Sequence, residues 1–327
     1  MSGFDPGRVT VGFSLTNGVV TAASIRSARP LSLASRFAGR PVEQAVEAVG
    51  LVNAVCGVSH AAALTFAAAM AGQRVIPREI AERWRVRLAA ERVAEHLREL
   101  VRLAPVAAFP IVRDALEAAR KAARTGIAGD DIRAIGAAFG LVRDWWPALP
   151  DHPAPPDALT SADDDAVIAA LETDAEFSSL PVLPGRRPET GPASRLGWSA
   201  AVPGATDAAR LVEAEEALGI LLGGTSNDGD FGNWLAANRT QNHTGYASVE
   251  SPRGRLYYSA VVQGDGRLRD ARVVAPTEWN FHPDGPFARA LVGFRPDGDA
   301  VMAIARLAAQ FSPCVAVDVV PEGPANA

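Results

Sequence analysis

From Ala48 to Gln73 the chain carries no charged side chain. The stretch is rich in alanine and also holds Asn53, Cys56, Ser59, His60, Thr65 and several glycines. An uncharged run of this length either crosses a membrane, which takes ~20 consecutive apolar residues, or is surrounded by protein on every side. Alanine is only weakly apolar and the polar residues are numerous, so one or two helices buried in a globular core are expected, and no membrane span. Enough other elements must then exist to enclose a helix completely. A chain of 327 residues, 48% of them hydrophobic, can supply them.

The flanking sequence has the right texture. VTVGFSLTNGVVTAASI places Asn17-Gly18 between two β-type runs, a hairpin signal. The segment from Pro77 to Pro105 is amphipathic, with Pro77 suited to a first helical turn. FPIVRDALEAARKAAR and DDIRAIGAAFGLVRDWW read as two further helices, the second capped by Asp130. PALPDHPAPPDALTSADDD is a proline-rich, acidic linker. A short helix is expected over 164–174, and a longer one at TDAARLVEAEEALGILL with Thr206 as its cap. GGTSNDGDFGNW reads as a solvated loop. Its Asp228 and Asp230 lack the twelve-residue spacing of an EF-hand. Gly264-Asp265-Gly266 sits between two β-like runs, and PFARALVG and AVMAIARLAAQF are helical. The expectation is an α+β, mainly helical fold with hairpins towards both ends. Residues 1–327 are expected to form a single domain, with an N-terminal helical half (1–148), a proline-rich linker (149–163) and a C-terminal half (164–327).

Charge and cysteine content narrow the function. A net charge of −5 gives no basic face for nucleic acid. Two cysteines make no secreted disulfide framework. MSGFDPGRVTVGF has no basic start followed by an apolar run, so no signal peptide is read there. A reducing, cytoplasmic location is expected, with Cys56 and Cys314 as thiols.

Cys56 and His60 are i and i+4, on one face of a helix. Thiolate and imidazole both ligate transition metals, but a lone cysteine is also among the most buried residue types and packs as a small hydrophobe. Cys314, after Pro313, admits the same two readings. As a thiol–base pair, Cys56 and His60 lack an oriented third group. Asp270 and Glu278 are carboxylates with no evident partner. No catalytic residue is assigned.

Four separated stretches resemble the large subunit of nickel–iron hydrogenases. LVNAVCGVSHA (51–61) is similar to the family's proximal motif R-x-C-G-x-C-x-x-x-H, with Cys56 on the second cysteine, His60 on the histidine and Asn53 where the first cysteine belongs. An alternative alignment puts Cys56 on the first cysteine and Ser59 on the second, and loses the histidine. FSPCVAVDVV (311–320) resembles the distal motif D-P-C-x-x-C-x-x-H: Pro313 and Cys314 match, while Ser312, Val317 and Val320 replace the aspartate, second cysteine and histidine. ESPRG (250–254) is similar to E-A-P-R-G and places Arg253 at the arginine that overhangs the metal site. VVAPTEWNFHPDGPFARAL (273–291) resembles V-V-P-T-T-W-N and the helix after it. The resemblance covers roughly residues 8–75 and 245–320.

The departures define the expectation. Two of four cysteines are missing, and GRVTVGF replaces the start motif R-I-E-G-H that carries a proton-relay glutamate. The chain therefore resembles the HupK-type accessory proteins of hydrogenase operons, degenerate large-subunit relatives. That resemblance implies a large-subunit-like helical core. It also implies a non-catalytic role as scaffold for assembly or transfer of the Fe(CN)2CO part of the cofactor. Iron, not nickel, would be held transiently by Cys56 and Cys314, with His60 as ligand or partner and Arg253 donating to cyanide. The partners implied are the hydrogenase large-subunit precursor and other maturation proteins. A divergent redox subunit and a metal-free chaperone are the alternatives.

Overall fold

The uncharged stretch forms two helices, α1 (Val42–Val52) and α2 (Gly57–Ala71), broken at Asn53–Cys56. α2 is buried almost all round, as its sequence requires. Its small side chains let backbones approach closely. A Cβ added at Gly57 would lie 2.3 Å from the Gly50 carbonyl of α1, and one at Gly245 would lie 1.9 Å from the Ala67 carbonyl of α2. Alanine and glycine are thus the fitting residues at these crossings, not merely tolerated ones.

This computed structural model describes residues 7–30, 33–53, 55–103, 105–129, 132, 135–136, 155–223 and 234–322. At the start β1 (Arg8–Thr16) and β2 (Val19–Ser27) pair antiparallel around Asn17 and Gly18, whose φ values of 51° and 75° are those of a tight primed turn. After α1 and α2 come α3 (Arg78–Leu100) and α4 (Phe109–Thr125), then α5 (Asp164–Thr173) and α6 (Ala205–Leu221). A four-stranded antiparallel sheet follows in simple order: β3 (Leu235–Arg239), β4 (Gly245–Ser251), β5 (Gly254–Val262) and β6 (Leu268–Val274). Short helices α7 (Pro276–Asn280) and α8 (Pro286–Leu291), helix α9 (Ala300–Gln310) and strand β7 (Ala316–Pro321) complete the order.

Two cores result. The larger packs α1–α4 and α6 onto one face of the β3–β6 sheet, with α2 against β4 and β5. The second joins β1, whose Val9, Val11 and Phe13 are buried, to Phe281, Phe287, Ile304 and Phe311. β7 lies parallel to β1, giving the order β2-β1-β7. The α+β, mainly helical expectation and both hairpins are observed, the second as β5–β6.

Several local expectations are corrected. α6 begins at Ala205 with Gly204 (φ 78°) as its cap. Thr206 lies inside the helix and its hydroxyl donates to the Gln310 carbonyl at 2.8 Å. Pro77 precedes α3 rather than opening its first turn. The C-terminal β region has four strands, not two, and β7 gives no strong alternation because it is an edge strand of partial burial. The helix expected from Asp130, most of the proline-rich linker and the 224–233 loop with Asp228 and Asp230 lie outside the described residues.

Candidate metal-fragment site

Cys56 is the residue immediately before α2, and Cys314 lies in the short link between α9 and β7. Both are free thiols. Cys56 is buried, at 5% exposure, and Cys314 is partly exposed. They act on one another electrostatically: burial pushes the Cys56 thiol well up, Glu91 adds to this, Arg253 opposes it, and Glu95 and Cys314 add again. In this state Cys56 is a protonated thiol.

The α2 N-terminus is closed by one carboxylate. Glu91 of α3 accepts the Val58 N–H at 2.7 Å, the Ser59 N–H at 2.9 Å and the Ser59 hydroxyl at 2.5 Å. These N–H groups have no partner within the helix. Burial nonetheless raises the Glu91 carboxyl to about 7, against the pull of those hydrogen bonds.

Cys314 is held by the opening of α7. Thr277 Oγ1 lies 3.0 Å from Cys314 Sγ and accepts the Cys314 backbone N–H at 3.2 Å. The preceding Ser312 adopts φ 53°, and its hydroxyl accepts from Arg210 at 2.8 Å. Arg253 fixes the same link by donating to the Pro313 carbonyl at 2.7 Å.

Arg253 is buried, not solvent-facing. It also donates to Glu99 at 3.0 Å and Glu95 at 3.4 Å. It does not pair with Glu250, which is bound by Arg195 and Arg255. A second guanidinium lies in the same region. Arg29 pairs with Glu278 of α7, and burial opposes its charge while the Glu278 carboxylate outweighs burial and holds its pKa above the ordinary value. Arg29 Nε, Arg253 Nε and Glu278 Oε2 are buried without a hydrogen-bond partner among the described residues.

His60 is turned to another use. Its Nδ1 is 2.8 Å from the Tyr258 hydroxyl, with the rings edge to face, and burial followed by the Arg29 charge lowers its pKa to about 3. Among the described residues no three His, Cys, Asp or Glu side chains converge as a metal-ligand group. Cys56, Cys314 and His60 are therefore not a three-donor set. The two thiols and the guanidiniums of Arg29 and Arg253, each with an Nε that has no partner among the described residues, are the candidate donors. Thiolates bind soft metals and N–H groups bind small anions, so these residue types would suit an iron fragment with small anionic ligands.

Two hollows are lined by neighbours of the cysteines but by neither cysteine itself. A groove of about 610 Å³ between α1, α3 and α4 is lined by Val55, Gly57, Glu91 and Glu95, beside Cys56. A cavity of about 220 Å³ is lined by Thr277 and Glu278, beside Cys314.

Sequence reasoning singled out the cysteines and Arg253 but not their neighbours Arg29, Thr277 and Glu91, nor Tyr258 beside His60. Thr277 stood in the quoted motif and could have been singled out. Arg29 follows β2 in SARP, with no local signal. Glu278, which had no evident partner, is paired with Arg29.

Comparison with known proteins fits this geometry. No protein-family model matches. The chain is 31% identical over 363 aligned positions to the hydrogenase expression/formation protein HupK of Rhizobium leguminosarum bv. viciae, covering 96% of each. It is 33% identical to the HupK protein of Bradyrhizobium diazoefficiens, covering 94% of each. In fold it is similar to a chain of the NAD+-reducing [NiFe]-hydrogenase (TM-score 0.57, 15% identity, 94% of this chain and 95% of that one). It is equally similar to a chain of the Ni-Fe-Se hydrogenase of Desulfovibrio vulgaris Hildenborough (TM-score 0.59, 15% identity, 92% and 94%). With the architecture of a hydrogenase large subunit but only two cysteines in its sequence, the chain belongs to the HupK family of hydrogenase expression/formation proteins.

Proposed function

We propose that this protein is a non-catalytic scaffold in nickel–iron hydrogenase maturation. It holds an iron fragment of the Fe(CN)2CO type and hands it on to the large-subunit precursor. The observation that carries the reading is the pair of free thiols, one at the head of α2 and one before β7, with the buried Arg253 donating to the Pro313 carbonyl next to Cys314. Two thiolates can ligate one low-spin iron, and having half the anchors of a four-thiolate site favours release. The iron is cargo, so this chain's residues bind and orient it rather than turn anything over. Cys56 and Cys314 ligate, and Arg253 and Thr277 donate hydrogen bonds towards the anionic ligands. The thiol protons leave on loading, as metal binding to cysteine requires.

Infrared spectroscopy of protein purified without oxygen from cells expressing the maturation machinery tests this. Cyanide and carbonyl stretches that vanish in Cys56→Ser and Cys314→Ser are expected. Wild-type protein that shows neither band, while both serine variants support normal hydrogenase formation, would reject the scaffold. A metal-free chaperone is the reading that would then stand, in line with the neutral, buried state of Cys56.

A further inference from the structure

We infer that Arg29, locked to Glu278, is a second recognition group for the anionic ligands of the iron fragment, on the Cys314 side of the thiol pair. The inference rests on the scaffold reading and adds a residue and a ligand class to it. Three observations outside the sequence motifs carry it. Arg29 lies just after β2, yet its guanidinium reaches the α7 opening and pairs with the buried Glu278. The neighbouring residue Thr277 contacts the Cys314 sulfur and backbone, so one helical turn ties the arginine and the thiol together. Arg29 Nε is buried with no partner among the described residues, and a buried orphan donor costs stability unless an acceptor arrives.

The chemistry selects the acceptor. Through Glu278 and Thr277 the cation is tied to Cys314, so an anionic group bound at that thiol would be stabilised by it. Glu278 removes most of the net charge, which leaves a directional N–H donor rather than a general anion trap. A small ligand with an exposed lone pair, such as metal-bound cyanide, fits this better than bare ferrous iron, which a guanidinium repels. Arg29 and Arg253 come from distant parts of the sequence, one following β2 and the other between β4 and β5.

The experiment uses full-length protein, ferrous iron with or without cyanide and carbon monoxide, and no oxygen. Retained iron is measured after desalting. The variant is Arg29→Gln with Glu278→Gln, which keeps a hydrogen-bonded pair and leaves no charge stranded; its near-ultraviolet circular dichroism and thermal melt report folding. Arg29→Lys retains the charge without the fork. Wild type should retain more iron with cyanide than without. Measured against its own retention of bare iron, the double variant should lose the cyanide-dependent gain about tenfold, the weight of one hydrogen bond to a charged group. Its cyanide stretch should also shift in frequency, with Arg29→Lys between the two. An unchanged cyanide-dependent gain and unchanged stretch in a folded double variant overturn the role of Arg29 and leave the scaffold reading intact. Wild type that retains iron in neither form overturns both.

Discussion

Thr277 holds Cys314 at two points, its Oγ1 3.0 Å from the sulfur and 3.2 Å from the backbone nitrogen. A single hydroxyl thus sets both the position and the hydrogen-bonding of the partly exposed thiol. Thr277→Val keeps the shape and removes the hydroxyl. The Cys314 N–H then loses its acceptor, and a stability loss of about 1–2 kcal/mol is expected from chemical denaturation. Iron retention should fall as well. Thr277→Ser should restore both.

Cys56→Ser and Cys314→Ser separate cargo handling from folding. The site is small beside two extended cores, so both variants should remain folded. Cys56→Ser should be the less stable, because it places a hydroxyl in a buried setting, at about 1–3 kcal/mol. Iron content by elemental analysis should drop to background in each. Iron retained in either variant at the wild-type level would contradict a two-thiol site.

Glu91 gives the fold a pH dependence with a definite sign. Its folded pKa is about 7, above the reference of 4.5, so the native state binds the proton more tightly than the unfolded chain. Stability contributed by this group is fully present below the unfolded value and falls as pH rises towards 7, by on the order of 3 kcal/mol at most. Glu91→Gln should flatten that window. Melting curves of wild type and variant from acidic to neutral pH, subtracted from one another, give the contribution of Glu91 directly.

His60 acts in the opposite sense. Burial holds it neutral, with a pKa of about 3 against 6.5 unfolded. The native state therefore binds fewer protons, and stability is lost as pH falls below 6.5 towards 3. Tyr258→Phe removes the hydroxyl 2.8 Å from Nδ1 and strands a buried polar nitrogen, at a cost of about 1–3 kcal/mol. Iron retention should be unchanged, since His60 faces Tyr258 and is not in a three-donor set. A loss of iron in a folded Tyr258→Phe protein would restore His60 to the metal site.

What the sequence carries and what it hides follow from how local each signal is. The uncharged run predicted a buried helix because enclosure forbids charge, and Asn17-Gly18 predicted a turn because both residues tolerate positive φ. Cys56, Cys314 and Arg253 were legible through motifs that describe short stretches of backbone. Arg29 was not, because its role depends on a contact with Glu278 that only the folded chain makes. Val317, where the family pattern has a cysteine, packs from β7 against the second core. A small aliphatic residue there is explained by packing once the strand is known. Thr206 looked like a cap because of its residue type, yet Gly204 does that work and Thr206 ties α6 to the end of α9.

The parallel pairing of β7 with β1 has a consequence for biosynthesis. Arg8 faces Ala316 and Phe13 faces Pro321 across this ladder, so the strand that follows Cys314 docks on a strand synthesised long before it. β1 and β2 can close their hairpin early, and α1 and α2 can form behind them. The second thiol, however, reaches its place only after residues 316–321 have cleared the exit tunnel. Until that strand docks, a growing chain presents Cys56 while the segment of Cys314 is still unanchored, so the meeting of the two cysteine-bearing segments is a late event of folding.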